Sequence, residues 1–91
     1  NQFIAYHNLG RIYAQKGNMK EAEKYFLKTL EINPDYVLAR QDMVVLYFSQ
    51  NKHPLAIAQL KELLRVQRPE AMNSQILKIL ETYAKESVHF K

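Results

Sequence analysis

Cysteine is absent from these 91 residues, so disulfides, zinc fingers, iron–sulfur clusters and thiol catalysis are excluded by inventory. Glycine occurs only twice, at Gly10 and Gly17, which leaves no glycine-rich loop able to cradle a phosphate. No stretch approaches the roughly 18 uninterrupted apolar residues of a membrane span. The start, Asn1-Gln2-Phe3, lacks the basic stretch and apolar core of a signal peptide. No initiating Met precedes a helical pattern already running by Phe3, so the segment is expected to come from a longer chain, with further repeats upstream. Its compartment stays undetermined, with the cytoplasm slightly favoured.

What is present suits one small globular domain. Hydrophobic residues make up 47% of the chain, enough for a single core. At ordinary stability per residue such a domain holds together by roughly 5 to 14 kcal/mol. Thirteen Lys and Arg against nine Asp and Glu give a net charge of +4, a mild preference for acidic partners.

The three prolines and two glycines punctuate helical patterns, and strand-like alternation is sustained nowhere. The expectation is an all-α chain with helices at about 3–16, 19–32, 35–50, 54–66 and 70–87. Connections this short make neighbours antiparallel. Asn18 and Glu21 have the spacing of a capping box, Gly17 suits a left-handed helix end, and Pro34, Pro54 and Pro69 suit first-turn positions.

Shifting the chain against itself by about 34 residues places Tyr13 on Tyr47, Ala22 on Ala56, Phe26 on Leu60 and Leu30 on Leu64. Two helices per unit at that period mark a repeat architecture. Tyr6, Leu9, Gly10, Tyr13, Ala22, Phe26 and Pro34 carry the pattern, and with them the chain resembles the tetratricopeptide repeat family. The small Gly10 and Ala22 suit a close approach of paired helices, with Tyr6, Leu9, Tyr13 and Phe26 filling the space around it. In the second unit Arg40 stands for the aromatic, Val44 for the glycine, and Pro69 falls one residue late, so a slightly altered hairpin angle is expected. The resemblance covers residues 3–69, and the rest more loosely. It implies a helical-hairpin repeat solenoid in one domain over 1–91: repeat one about 3–34, repeat two about 35–69, and a capping helix about 70–88.

Catalysis finds no support. His7, His53 and His89 are far apart and lack a ligand partner at i+3 or i+4, so no cofactor or metal is expected. Lys20, Lys24 and Lys28 form a stripe on one helix face, but Glu21, Glu23 and Glu31 share the helix and dilute its field. Lys61, Arg65 and Arg68 are interrupted by Glu62. A nucleic-acid surface is therefore disfavoured against a solvated face.

The anomaly is the run Met43, Val44, Val45, Leu46, Tyr47 and Phe48, wider than one buried stripe requires. In the resemblance the first helix of each repeat lines a concave groove. That implies a groove of Ile4, His7, Asn8, Arg11 and Gln15 from the first repeat, and Leu38, Gln41, Asp42, Val45, Phe48 and Ser49 from the second. An apolar ridge with one Arg suits an extended or helical peptide. Phe48 alone fits equally well beneath the fifth helix. Some family members grip a chaperone's C-terminal carboxylate with Lys and Asn on the first helix and Asn on the third. The matching places hold His7, Arg11 and Asp42, and Asp42 repels a carboxylate unless paired with Arg11. The expectation is a protein or peptide partner, with homo-oligomerisation through the groove or the ends as the rival.

Overall fold

The computed structural model describes residues 2–89. The chain runs through α1 (Gln2–Gln15), α2 (Met19–Ile32), α3 (Val37–Ser49), α4 (His53–Val66), a 3-10 turn (Pro69–Ala71) and α5 (Ser74–His89). Helices α1 and α2 form one antiparallel hairpin and α3 and α4 a second. Helix α3 is the hub, packing on α2 and α4 and more lightly on α1 and α5. The result is an all-α helical repeat solenoid of 43 × 26 × 20 Å.

The two hairpin bends are built alike from different residues. In the first, Gly17 at φ +80° lets Asn18 N–H reach the Tyr13 carbonyl at 2.9 Å and Gly17 N–H the Ala14 carbonyl at 3.0 Å. These two bonds satisfy carbonyls that the end of α1 leaves without helical partners. In the second, Asn51 takes the left-handed position at φ 60°. Lys52 N–H reaches the Tyr47 carbonyl at 2.9 Å, and Asn51 N–H the Phe48 carbonyl at 3.1 Å. Asparagine tolerates this conformation because its short polar side chain bonds locally.

The helix starts depart from expectation in three places. Asn18 does accept from the Glu21 amide, at 3.4 Å, but its own amide is committed to Tyr13, so the return half of a capping box does not form. Pro34 lies in a turn closed by Tyr36 N–H to the Asn33 carbonyl at 3.1 Å, and α3 starts only at Val37. Pro69 opens the 3-10 turn; α5 begins later, where Asn73 accepts from the Ile76 amide at 2.9 Å. Pro54 alone sits in the first turn of an α-helix.

Packing inside the hairpins follows size. A Cβ on Gly10 would lie 2.6 Å from the Phe26 ring, so only glycine fits against that buried aromatic. In the second hairpin Val44 faces the smaller Leu60, both buried; bulk has moved from one helix to the other. Tyr6 stacks on Tyr25 at 6.0 Å, and Tyr13 on the same ring at 5.6 Å. Arg40, at the place equivalent to Tyr6, instead donates to Gln59 Oε1 at 2.9 Å and the Pro34 carbonyl at 2.7 Å. Leu9, expected to fill the hairpin interior, is exposed. Gly10, the next residue, makes the close approach to Phe26 instead.

The broad apolar run on α3 has a structural cause. Met43, Val44, Leu46 and Tyr47 are buried, while Val45 and Phe48 pack partly against the same core. Met72, just after the 3-10 turn, and Ile76, Ile79 and Tyr83 of α5 supply the extra cover, all buried.

Candidate functional site

Helix α1 presents Arg11 and Gln15 at i and i+4, and α3 presents Asp42, Val45 and Ser49 at i, i+3 and i+7. Both spacings place side chains on one face. These faces meet across an open cleft of about 400 Å³. Ala14, Met19, Phe26 and Leu46 supply further apolar wall, and Gln75 from the first turn of α5 closes the rim. The floor is therefore largely hydrocarbon and the rim polar, the usual make-up of a site that holds a side chain and orients its polar neighbours.

Two charged groups govern the electrostatics. Asp42 Oδ2 accepts from His7 Nε2 at 2.6 Å, across the lightly packed junction between α1 and α3. His7 is buried, its ring edge-on to Tyr36 at 5.3 Å and tilted against Phe26 at 5.8 Å. Asp42 thus has a hydrogen-bond donor of its own and is not paired with Arg11. Arg11 is exposed and lines the cleft, and among the described residues no acceptor engages its guanidinium. Ser49 is exposed, its hydroxyl donating to the Leu46 carbonyl of its own helix at 2.8 Å.

The remaining groove candidates lie elsewhere. Ile4, Asn8 and Leu38 are exposed but outside the cleft lining. Gln41 is buried and donates to Gln67 Oε1 at 3.0 Å, tying α3 to the end of α4. Phe48 packs edge-on to Tyr83 at 5.7 Å and to His53 at 5.9 Å, beneath α5. His53 Nδ1 and the Tyr83 hydroxyl are hydrogen-bonded at 3.0 Å. Of the three histidines, His89 has its side chain outside the described residues. Among the described residues no three His, Cys, Asp or Glu gather closely enough to hold a metal ion, and no helix is long and apolar enough to cross a membrane.

Met19 and Gln75 were not identifiable as cleft residues from periodicity. Each belongs to a different helix from the two whose spacing defines the groove, and only the tertiary arrangement brings them in. Ala14 and Leu46 follow the apolar stripe of their helices and read as core.

Residues 3–36 match the sequence model of a family described as "Tetratricopeptide repeat". No curated protein matches the chain.

Proposed function

We propose, from the match of residues 3–36 to the tetratricopeptide repeat model, that the chain is a non-catalytic protein-interaction module: two repeats and a capping helix that take a peptide segment in the cleft between α1 and α3. Repeats of this family generally serve protein–protein interaction.

One observation carries the finer reading. Among the described residues Arg11 has no acidic partner beside an apolar-walled cleft, while the neighbouring carboxylate, Asp42, is engaged by His7. Such a site favours a peptide that places an apolar side chain against Val45 and a carboxylate on the Arg11 guanidinium, where two parallel N–H donors can fork onto it.

Selection of phage-displayed random dodecapeptides, with the enriched peptide titrated calorimetrically, tests the proposal. The enriched sequences are expected to combine an acidic residue with a large apolar one. Arg11→Glu is expected to weaken binding at least tenfold, about 1.4 kcal/mol, while leaving the melting curve unchanged because Arg11 is exposed. Undiminished affinity in the folded variant would move the binding surface off the cleft.

A further inference from the structure

Among the described residues, two of the side chains lining the cleft carry charge, Arg11 on α1 and Asp42 on α3. They do not pair with each other: the Asp42 carboxylate is held by His7 at 2.6 Å. His7 is not part of the lining. It stands behind the wall, 3% exposed, its ring fixed edge-on to Tyr36 and against Phe26, which aims Nε2 at Asp42. An ionised carboxylate only accepts, so Nε2 carries the proton. Arg11 follows His7 by four residues on α1, a spacing that makes helix side chains neighbours. Arg11 is therefore the cation that a released Asp42 would meet across the cleft.

The second repeat shows that this helix position does not need a charged bond to be satisfied. At a shift of 34 residues His7 falls on Gln41, Asn8 on Asp42 and Arg11 on Val45. Gln41 is buried as His7 is, and it donates to a neutral amide, Gln67 Oε1, at 3.0 Å. One position thus makes a buried polar tie in both repeats. Only in the first does the tie end on a carboxylate that lines the cleft, where its charge bears on what can bind there.

We propose that His7 sets the charge preference of the cleft. By holding the Asp42 carboxylate it keeps the Arg11 guanidinium open, so that the cleft selects a peptide carboxylate over an ammonium or guanidinium group. His7 is a positioning residue, acting on the peptide only through Asp42. This rests on peptide capture in the cleft and names what decides its selectivity.

The test pairs the acidic dodecapeptide enriched in the phage selection with the same peptide carrying Lys in place of its acidic residue. Calorimetric titration into the whole chain is expected to show the acidic form preferred. His7→Leu lets Asp42 turn to Arg11, and affinity for the acidic peptide is expected to fall about fivefold, the size of a partly exposed ion pair. His7→Gln, the residue of the second repeat, keeps a donor and should stay within about twofold of the parent. Adding Asp42→Asn to His7→Leu should restore affinity to that range, a recovery that a packing role for His7 does not produce. In the peptide-free chain the NMR signal of the Arg11 Nε–H group should shift in His7→Leu and return in the double variant. Asp42 is 36% exposed, so its released carboxylate reaches water; melting curves check folding, and His7→Met takes the place of His7→Leu if that variant unfolds. An unmoved Arg11 signal with unchanged acidic affinity, or a loss that Asp42→Asn does not recover, overturns the proposal while cleft binding stands. Undiminished affinity in Arg11→Glu instead overturns the cleft reading, and this selectivity with it.

Discussion

Gly10 and Val44 occupy equivalent places in the two hairpins, and their partners Phe26 and Leu60 differ in the opposite sense. The exchange is one of volume across a close helix contact, where packing tolerates compensated swaps far better than uncompensated ones. Gly10→Ala therefore sets two effects against each other. Alanine is the better helix former by about 1 kcal/mol, but its Cβ would sit 2.6 Å from a buried ring, and overpacking of this kind costs about 1–3 kcal/mol. The expected net result is a lower urea midpoint, with part of the loss recovered in the Gly10→Ala, Phe26→Leu double variant. A double-mutant cycle showing no coupling would mean that the ring moves aside freely. Tyr47 carries a different residue-scale consequence. Burial, then the hydrogen bond and the charge of Glu23, push its phenol well above the usual tyrosine range. Only the neutral phenol donates to Glu23, so the stability it gives is complete below the unfolded value of about 10 and is lost as pH rises beyond it. Unfolding midpoints measured from pH 8 to 11 should fall at the alkaline end. Tyr47→Phe should lower the neutral-pH stability by about 1–2 kcal/mol and flatten that fall; an unaltered alkaline slope would assign it to other groups, Tyr83 among them.

At the scale of helices and their ends, the hairpin bends depend on one left-handed residue each. Asn51→Gly should change stability by no more than a few tenths of a kcal/mol, whereas Asn51→Ala should cost about 1 kcal/mol, the penalty of a Cβ in the left-handed region. Equal urea midpoints for the two variants would show that the bend has relaxed to another conformation. The same scale separates what periodicity could read from what it could not. All five helices were legible because local signals, apolar spacing and Gly17 among them, agree with the fold. The second bend was not, since Asn51 has no glycine to advertise its backbone. The late start of α5 was missed because Pro69 fits a 3-10 turn as well as a first helical turn. The resemblance, read with helical spacing, implied a groove face for Arg11, Gln15, Asp42, Val45 and Ser49, and all five line the cleft. It could not tell that His7 and Gln41, on the same faces, are drawn inside by Asp42 and Gln67, since those bonds join residues 35 and 26 positions apart. Phe48 posed the same ambiguity, and the position of Tyr83 resolves it.

At the scale of the whole molecule, α5 covers one side of the solenoid. Stacked repeats bury a continuous core only where each unit has a neighbour, so an end unit needs a cover with a polar outer face. The buried cluster runs from Ala22 in α2 through α3 and α4 to Tyr83 in α5. At the α5 edge its last layer is Met72, Ile76, Ile79 and Tyr83 set against Phe48 and Ile57. Solvent sees Ser74, Lys78, Glu81, Lys85 and Glu86 instead, all exposed. Helix α5 is a structural member rather than an appendage, because the hub helix α3 packs on it as well as on α2 and α4. Removing residues 69–91 should uncover Phe48, Val45 and the adjoining α3 surface together. The truncated chain is expected to self-associate in sedimentation velocity and to melt at lower temperature, with a smaller urea m-value in proportion to the surface no longer buried. A monomeric truncation with the parent's melting curve would place the stability of the two hairpins wholly within themselves. Phe48→Ala in the intact chain distinguishes contact from cover: it should lower the midpoint by loosening α5 while the solenoid stays monomeric, because Ile76 and Ile79 still shield α3.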